Sequence, residues 1–209
     1  MSNDLTFTHR FEPGNRLEAP PLLLLHGTGG DENDLMSLGR AVSPGSALLS
    51  PRGQVLEHGM PRFFRRLAEG VFDEEDLTRR THELADFVEW ARAEYGLPAP
   101  IALGFSNGAN IAAAMLLLRP EVLSGAVLLR AMSPFEKLPA AVLDGKPVLI
   151  VSGSFDPIIP EANAARLAAT LVGAGAAVAH RSLPTGHGLS QADLRLVRDW
   201  LAERPALAA

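Results

Sequence analysis

The chain has 209 residues, of which 47% are hydrophobic and 21% are charged, and its 24 acidic against 19 basic side chains give a formal net charge of −5. This length and composition fit one globular domain over residues 1–209, and the charge excludes an overall basic protein of the kind that binds nucleic acids. Because the chain contains no cysteine, disulfides, thiolate metal sites and cysteine nucleophiles are excluded.

Short apolar runs and periodic segments alternate along the chain. An antiparallel edge strand is predicted over residues 5–11. Apolar runs bounded by glycine or proline predict buried strands at Leu22–His26, Ala47–Ser50, Ile101–Phe105, Ala126–Leu129, Val148–Val151 and Val178–Leu183. Helical periodicity predicts helices at Asp73–Tyr95, Asn107–Leu118, Glu161–Val172 and Leu189–Leu201. Buried strands that alternate with helices predict an α/β fold, with a mainly parallel sheet covered by helices on both faces.

The N-terminal segment carries no recognisable targeting signal. Met1 to Phe11 is polar, and the nearest apolar run, Leu22 to Leu25, is too short for a signal-peptide core or a membrane span. The sequence therefore predicts a cytoplasmic protein that has neither a membrane nor a nucleic acid as its partner.

The turn after the third central strand has the pattern G-x-S-x-G. It reads Gly104-Phe105-Ser106-Asn107-Gly108 and lies between a predicted strand and a predicted helix. A tight strand-to-helix turn of this kind needs small flanking residues and lifts the serine hydroxyl clear of the sheet. We interpret Ser106 as a nucleophile; the alternative is an ordinary glycine-rich turn.

A serine nucleophile requires a base, and the base requires an orienting acid. Asp156 follows the strand Val148–Val151, and His187 follows the last strand, in the order Ser, Asp, His that such a turn predicts. Taken singly, Asp156 is equally typical of a turn or helix cap, and His187 of a surface loop. Their order makes Asp156 the predicted acid and His187 the predicted base.

Two backbone N–H groups are needed to bind the oxyanion of a tetrahedral intermediate. The predicted donors are the amide of Asn107, directly after the serine, and the amide of Thr28, which lies in a glycine-rich loop after the first central strand. The alternative, a phosphate-binding loop, lacks the G-x-G-x-x-G and Gly-Lys-Ser/Thr patterns.

The segment Gly59 to Arg66 combines aromatic and cationic side chains in a position where a loop could cover the site. The predicted substrate-binding residues are Met60, Arg62, Phe63 and Phe64 there, with Met132 on the opposite wall. The alternative is a partner-facing or partly buried loop. His82-Glu83 begins like the zinc-protease motif H-E-x-x-H but has Asp86 at the second ligand position, so no metal or other cofactor is expected.

Three segments together resemble the α/β-hydrolase superfamily, in particular its small, single-domain carboxylesterase/phospholipase group. They are the loop from Leu25 to Leu35, the turn Gly104–Ala109 and Gly186-His187-Gly188. Within that group the chain is similar to bacterial hydrolases linked to hydroquinone and other aromatic stress, through the segments Gly59–Phe64 and Gly108–Ala112.

The resemblance implies Ser106, Asp156 and His187 as a catalytic triad, with the Thr28 and Asn107 amides as oxyanion donors. The chain departs from typical carboxylesterases of the group in two places. Asn107 stands where a glutamine is usual, and Arg62-Phe63-Phe64 replaces a Trp-Phe-Asp-like substrate loop. The first change keeps the backbone N–H, whereas the second means that the resemblance does not identify the substrate.

The resulting expectation is a serine hydrolase of small carboxylic esters with an α/β-hydrolase fold, no large lid and no cofactor. Two alternatives stay open: an acyl thioesterase or lysophospholipase that acts on longer acyl chains, and a non-catalytic protein that binds a small phenolic ligand. A homodimer is suggested by the resemblance and by the number of apolar residues, without a sequence feature that locates an interface.

Overall fold

Eleven strands and five helices make up the computed structural model, which describes residues 7–16, 18–137 and 139–204. The strands are β1 (His9–Glu12), β2 (Leu22–Leu25), β3 (Leu48–Pro51), β4 (Val55–Glu57), β5 (Met60–Arg62), β6 (Arg66–Ala68), β7 (Val71–Phe72), β8 (Ile101–Phe105), β9 (Gly125–Leu129), β10 (Pro147–Gly153) and β11 (Ala177–Leu183). The helices are α1 (Met36–Val42), α2 (Glu74–Tyr95), α3 (Asn107–Leu118), α4 (Glu161–Gly173) and α5 (Gln191–Ala202), with a 3₁₀ turn at Pro120–Val122.

Seven of these strands form one sheet in the order β1-β3-β2-β8-β9-β10-β11. All neighbouring pairs are parallel except β1 and β3, which pair antiparallel. The mainly parallel sheet that the sequence predicts is therefore confirmed. The predicted edge strand is confirmed at residues 9–11 of β1, which continues to Glu12, whereas residues 7 and 8 are not part of the strand and residues 5 and 6 lie outside the described residues.

Two buried clusters cover the two faces of the sheet. Along β2, Leu23 and Leu25 pack into the cluster with α2, α3 and α4, whereas Leu22 and Leu24 pack into the cluster with α1 and α5. Side chains alternate across a strand, so a run of four buried leucines contributes two residues to each face. This is why the central strands read as continuous apolar runs, with helices on both faces as predicted.

Helix α2 shows how local signals fix a boundary. The carboxylate of Asp73 accepts a hydrogen bond from the backbone N–H of Asp76 and caps the helix, whose first turn is acidic. The helix ends at Gly96, which adopts the left-handed conformation with φ of 64°. The acidic residues Glu74, Glu75 and Asp76 therefore lie in the first turn of the predicted helix, where the helix dipole favours negative charge.

Helix α1 and the two short hairpins β4-β5 and β6-β7 were not predicted from the sequence. The strands of these hairpins have only two or three residues, too few for a periodic pattern. The first hairpin turns at His58-Gly59, where both residues have positive φ (51° and 80°). Positive φ at both central residues is typical of the tight two-residue turns that connect the strands of a β-hairpin. Within the described residues we find no large lid, and no helix there is long and apolar enough to cross a membrane.

Candidate active site

The turns after β8, β10 and β11 meet at the carboxyl edge of the sheet. They bring Ser106, Asp156 and His187 into one hydrogen-bonded chain, although 81 positions separate Ser106 from His187. His187 Nε2 lies 3.0 Å from Ser106 Oγ, and His187 Nδ1 lies 2.8 Å from Asp156 Oδ2. With Nδ1–H donating to the carboxylate, Nε2 accepts from the serine hydroxyl.

Ser106 occupies a strained turn between β8 and α3. Its φ of 52° and ψ of −114° lie outside the regions that non-glycine residues prefer. A Cβ at Gly108 would lie 2.0 Å from the Leu25 carbonyl oxygen, and one at Gly104 would lie 2.5 Å from the Gly108 carbonyl oxygen. The G-x-S-x-G pattern is therefore a steric requirement: Gly108 allows the close approach of the turn to β2, and Gly104 allows the close approach of β8 to the first residues of α3.

Asp156 is held as a carboxylate by several donors. Its Oδ1 accepts hydrogen bonds from the backbone N–H groups of Ile158 (2.8 Å) and Ile159 (3.0 Å), while Oδ2 accepts from His187. Burial raises the pKa of this carboxyl, but the hydrogen bonds from Ile159, His187 and Ile158 outweigh it, so that the net pKa is lowered. Asp156 therefore stays ionised at neutral pH.

The loop after β2 is fixed beside Ser106 by its own histidine and by the β4-β5 hairpin. His26 Nδ1 donates to the Gly27 carbonyl at 2.6 Å, and its Nε2 accepts from the Gly53 N–H at 2.9 Å. Burial lowers the pKa of His26, which favours this neutral form. The N–H of Gly29 donates to the Pro61 carbonyl, which joins the loop to the hairpin.

A cavity of about 50 Å³ opens beside the serine. Its walls come from the loop after β2, from both hairpins, from α3 and from the turn that carries Asp156. The lining residues are Thr28, Arg62, Arg66, Glu69, Gly70, Phe72, Ser106, Asn107, Asn110, Met132, Ile158 and Ile159. The two predicted oxyanion residues, Thr28 and Asn107, thus border the same cavity as Ser106.

The structure separates the predicted substrate-binding residues. Arg62 and Met132 line the cavity, whereas Met60 does not: it is 41% exposed on β5, and a Cβ added at Gly29 would lie 3.6 Å from its sulfur. Phe63 and Phe64 do not line it: they are 2% and 0% exposed and belong to the core, which corrects the expectation that they contact a substrate.

The physical reason for this correction is the packing of the segment that follows β5. Phe63 donates its backbone N–H to Asn107 Oδ1 at 2.8 Å, and its ring lies 4.7 Å from that of His26. The Phe64 ring packs edge-on against Phe72. Both phenylalanines therefore anchor the hairpin to the body of the protein, which an aromatic-cationic pattern alone does not reveal.

Arg62 lines the cavity, but its guanidinium mainly binds groups of the protein itself, including the loop after β2. Its side chain is 4% exposed, and it donates to Thr28 Oγ1 (2.9 Å), Glu57 Oε2 (2.9 Å) and the Phe64 carbonyl (3.2 Å). Glu57 accepts from Arg66 as well, at 2.9 Å. The hydrogen bond from Arg66 and the charge of Arg62 lower the pKa of Glu57 against the effect of burial, so that the carboxylate links both hairpins.

Several lining residues were not predicted as substrate-binding from the sequence: Arg66, Glu69, Gly70, Phe72, Asn110, Ile158 and Ile159. For the isoleucines a signal existed, because they directly follow the predicted acid Asp156. For Arg66 a signal existed too, because it ends the segment Gly59 to Arg66, which the sequence places where a loop could cover the site. For Glu69, Gly70 and Phe72 no signal existed, since nothing in the chain order indicates that the β6-β7 hairpin folds over the serine.

Comparison with known proteins agrees with this architecture. A family model described as "alpha/beta hydrolase fold" matches residues 20–146. The chain is 46% identical over 184 residues to MhqD of Bacillus subtilis (strain 168), a protein named as a hydrolase, and the match covers 87% of this chain and 92% of that protein.

Two solved structures extend the comparison. The carboxylesterase of Bacillus cereus is 44% identical, with a TM-score of 0.92 and coverage of 95% of this chain and 94% of the other. A carboxylesterase from Mesorhizobium loti is 33% identical, with a TM-score of 0.90 and coverage of 96% of each chain. The described fold is therefore shared over nearly the full length of both structures.

Proposed function

The chain belongs to the alpha/beta hydrolase fold family and is a hydrolase, and from that premise we propose that it is a serine carboxylesterase acting on small carboxylic esters through an acyl-enzyme. The observation that carries the proposal is the hydrogen-bonded chain Ser106–His187–Asp156, with separations of 3.0 and 2.8 Å. Both distances lie within the reach required for proton transfer and for orientation of the base.

The reaction proceeds in two halves. Ser106 Oγ attacks the ester carbonyl carbon while His187 Nε2 takes the hydroxyl proton, and the imidazolium then gives that proton to the departing alcohol oxygen. In the second half a water molecule attacks the acyl-enzyme, with His187 again as base, and releases the carboxylic acid. Asp156 stays ionised and stabilises the imidazolium that forms in each half.

The developing oxyanion is held by the backbone N–H groups of Thr28 and Asn107. Asn107 is the first residue of α3, where an N–H has no acceptor within its own helix and the helix dipole favours negative charge. Support for Thr28 comes from Arg62, whose guanidinium donates to the Thr28 hydroxyl and thereby fixes the loop. Each preorganised donor of this kind lowers the activation barrier by roughly 3–4 kcal/mol.

The substrate class follows from the cavity and from the relatives. A cavity of about 50 Å³ accommodates only a small group next to the serine, so any larger part of the substrate must lie outside it. Two of the similar structures are carboxylesterases by name, which supports esters as the substrate class. The reaction needs no cofactor, because the triad and the backbone amides provide all its groups.

A second candidate, an acyl thioesterase or lysophospholipase, is favoured by exposed apolar side chains around the site. Leu67 (70% exposed) and Val71 (49%) belong to the β6-β7 hairpin, and Phe155 (72%) and Ile158 (46%) flank Asp156. Such side chains could hold a long acyl chain outside the small cavity. Hydrolysis of p-nitrophenyl esters from acetate to dodecanoate distinguishes the two: a maximum at acetate or butyrate supports the carboxylesterase, and a maximum beyond octanoate supports the second candidate.

The direct test compares the wild type with Ser106→Ala on p-nitrophenyl acetate and butyrate. Turnover should fall by about a thousandfold or more, since the nucleophile is removed, while far-UV circular dichroism stays the same. Ser154→Ala is the matched control, because Ser154 is exposed in the neighbouring turn after β10 and should leave turnover unchanged. Wild-type turnover that survives in Ser106→Ala would contradict the proposal.

A non-catalytic protein that binds a small phenol remains the alternative of another class. Calorimetric binding of a phenol by a wild type that hydrolyses none of the esters would favour it. The cytoplasmic location and the homodimer stay predictions, and analytical ultracentrifugation tests the latter.

A further inference from the structure

Arg130 is a buried cation that the reaction described above does not use. It directly follows β9, and its side chain is 0% exposed. Its φ of 56° lies in the left-handed region, which is uncommon for a residue with a side chain and persists only where the surroundings enforce it. A charged group at such a position requires a full set of partners.

The first of these partners is Asp193, on the first turn of α5. Arg130 Nη1 donates to Asp193 Oδ1 at 2.8 Å and Nη2 donates to Oδ2 at 3.1 Å, a bidentate pair in which the carboxylate side chain is 1% exposed. Nη1 also donates to the Val151 carbonyl at 3.3 Å. The pair thus joins the end of β9 to β10 and to α5.

The remaining donors of Arg130 reach the loop that carries the histidine. Nε donates to the Gly186 carbonyl at 3.0 Å, and Nη2 donates to the Gly188 carbonyl at 3.2 Å and to Thr185 Oγ1 at 3.0 Å. Gly186 and Gly188 are the two neighbours of His187 in the chain. Arg130 therefore holds the main chain on both sides of the histidine.

Asp193 fixes the far end of the same loop. Its Oδ2 accepts from the backbone N–H of Ser190 (2.8 Å) and from Ser190 Oγ (2.7 Å), within the capping box that begins α5. Burial raises the pKa of this carboxyl, but the hydrogen bonds from Arg130 and Ser190 outweigh it and lower the net pKa. The carboxylate is therefore ionised and paired at neutral pH.

We propose that Arg130 is a positioning residue that forms, with Asp193, a buried clamp on the loop of residues 184–190 and so keeps His187 Nε2 within hydrogen-bond reach of Ser106. The inference rests on the proposed function and deepens it, because it identifies what holds the base in place. Asp156 orients the imidazole ring, whereas the clamp fixes the main chain beneath it. Misplacement of a reacting group by about 1 Å is enough to lower a rate about a hundredfold.

The test uses variants that remove the clamp without leaving an unpaired buried charge. Arg130→Met/Asp193→Leu replaces both charges by apolar groups, a replacement that buried ion pairs often tolerate. Arg130→Lys keeps the charge but lacks the planar fork, so it loses bonds to the loop even if the double variant fails to fold. Arg119→Met is the control, because Arg119 also pairs with several carboxylates, Asp86, Glu89 and Glu121, away from the cavity.

In the folded double variant we expect kcat on p-nitrophenyl acetate to fall about 10- to 100-fold with KM within about twofold, because the ester still binds while the base is misplaced. In Arg130→Lys, kcat should fall as well, but by a smaller factor. Amide hydrogen exchange over residues 184–190 should accelerate in both variants. The Arg119 variant should keep the wild-type kcat and exchange.

A readout independent of ester hydrolysis separates the clamp from the proposed function. The downfield proton resonance of His187 Nδ1, which donates to Asp156, is assigned by its absence in His187→Gln and should be lost in the clamp variants but kept in Ser106→Ala. A wild type without esterase activity, whose resonance still depends on Arg130, overturns the proposed function and leaves the clamp. Folded clamp variants with wild-type kcat, exchange and resonance overturn the clamp and leave the esterase.

Discussion

The turns that follow β8 and β9 each contain a residue with positive φ, but the side chains of these two residues point to different places. Ser106 and Arg130 both adopt positive φ, 52° and 56°, and each donates its backbone N–H to the neighbouring strand, to Leu129 at 2.8 Å and to Val151 at 2.9 Å. The Ser106 turn leads into α3 and presents its hydroxyl to the cavity, whereas the Arg130 turn sends its guanidinium into the interior.

The two turns therefore differ in how many contacts the side chain of the strained residue makes. Each strained residue costs of order 1–3 kcal/mol, which the packing around adjacent central strands sustains. At Ser106 the strain exposes a small group that makes few contacts of its own. At Arg130 the strain aims a long side chain at six acceptors. We therefore expect changes at the first turn to alter activity and changes at the second to alter both stability and activity.

The largest effect should come from Asp156→Asn, which disables the base without touching either turn. The amide keeps an oxygen for Ile158 and Ile159 but presents NH₂ to His187 Nδ1, so the ring adopts the tautomer that carries its proton on Nε2 and cannot accept from Ser106. We expect kcat to fall about 10³- to 10⁴-fold, or about 4–5.5 kcal/mol in the barrier. Steady-state kinetics on a short ester measure it.

The control for that variant is Asp199→Asn on α5, whose side chain is 72% exposed. It should leave kcat unchanged. A fall of less than tenfold in Asp156→Asn, with normal folding, would assign the orienting acid to another residue.

The next largest effect tests the difference between the two turns directly, through the free energy of unfolding. Arg130→Met leaves the Asp193 carboxylate buried without its cation, and the free energy of unfolding should fall by about 3–5 kcal/mol. Ser106→Ala removes only a hydroxyl at the cavity and should change it by less than about 1 kcal/mol. Urea unfolding of both variants measures the difference; equal losses would show that the two turns do not differ in this way.

The smallest effect concerns a third turn, the loop after β2, and its dependence on pH. Burial lowers the pKa of His26 below the unfolded value of 6.5. The unfolded state therefore binds a proton first, so the stabilisation is complete above pH 6.5 and is lost as pH falls through the folded value. His180, whose pKa burial also lowers, contributes in the same direction.

We accordingly expect the free energy of unfolding of the wild type to fall between pH 7.5 and 5.5. His26→Gln should reduce that slope, whereas His82→Gln, at an exposed position of α2, should keep it. Urea titrations at the two pH values provide the measurement. The idea fails if wild type and His26→Gln have the same slope.

Local signals in the sequence determined the alternation of strands and helices, the caps of α2 and the glycines around Ser106. The alternation and the caps depend on neighbours within a few positions, where periodicity and side-chain capping act directly. The glycines could be read from the local G-x-S-x-G pattern, although the Leu25 carbonyl that excludes a Cβ at Gly108 belongs to β2. The order of Ser106, Asp156 and His187 could be read for the same reason, because each follows a predicted strand and parallel strands end at one edge of the sheet.

The tertiary structure alone decided the burial of Phe63 and Phe64, the folding of the hairpins over the serine and the pairing of Arg130 with Asp193. The members of that pair are 63 positions apart in the chain, and they meet because β9 lies beside β10 and α5 packs on the face of the sheet that both strands share. The partner of a buried charge is set by which elements the fold makes adjacent, and no local pattern around Arg130 encodes that adjacency.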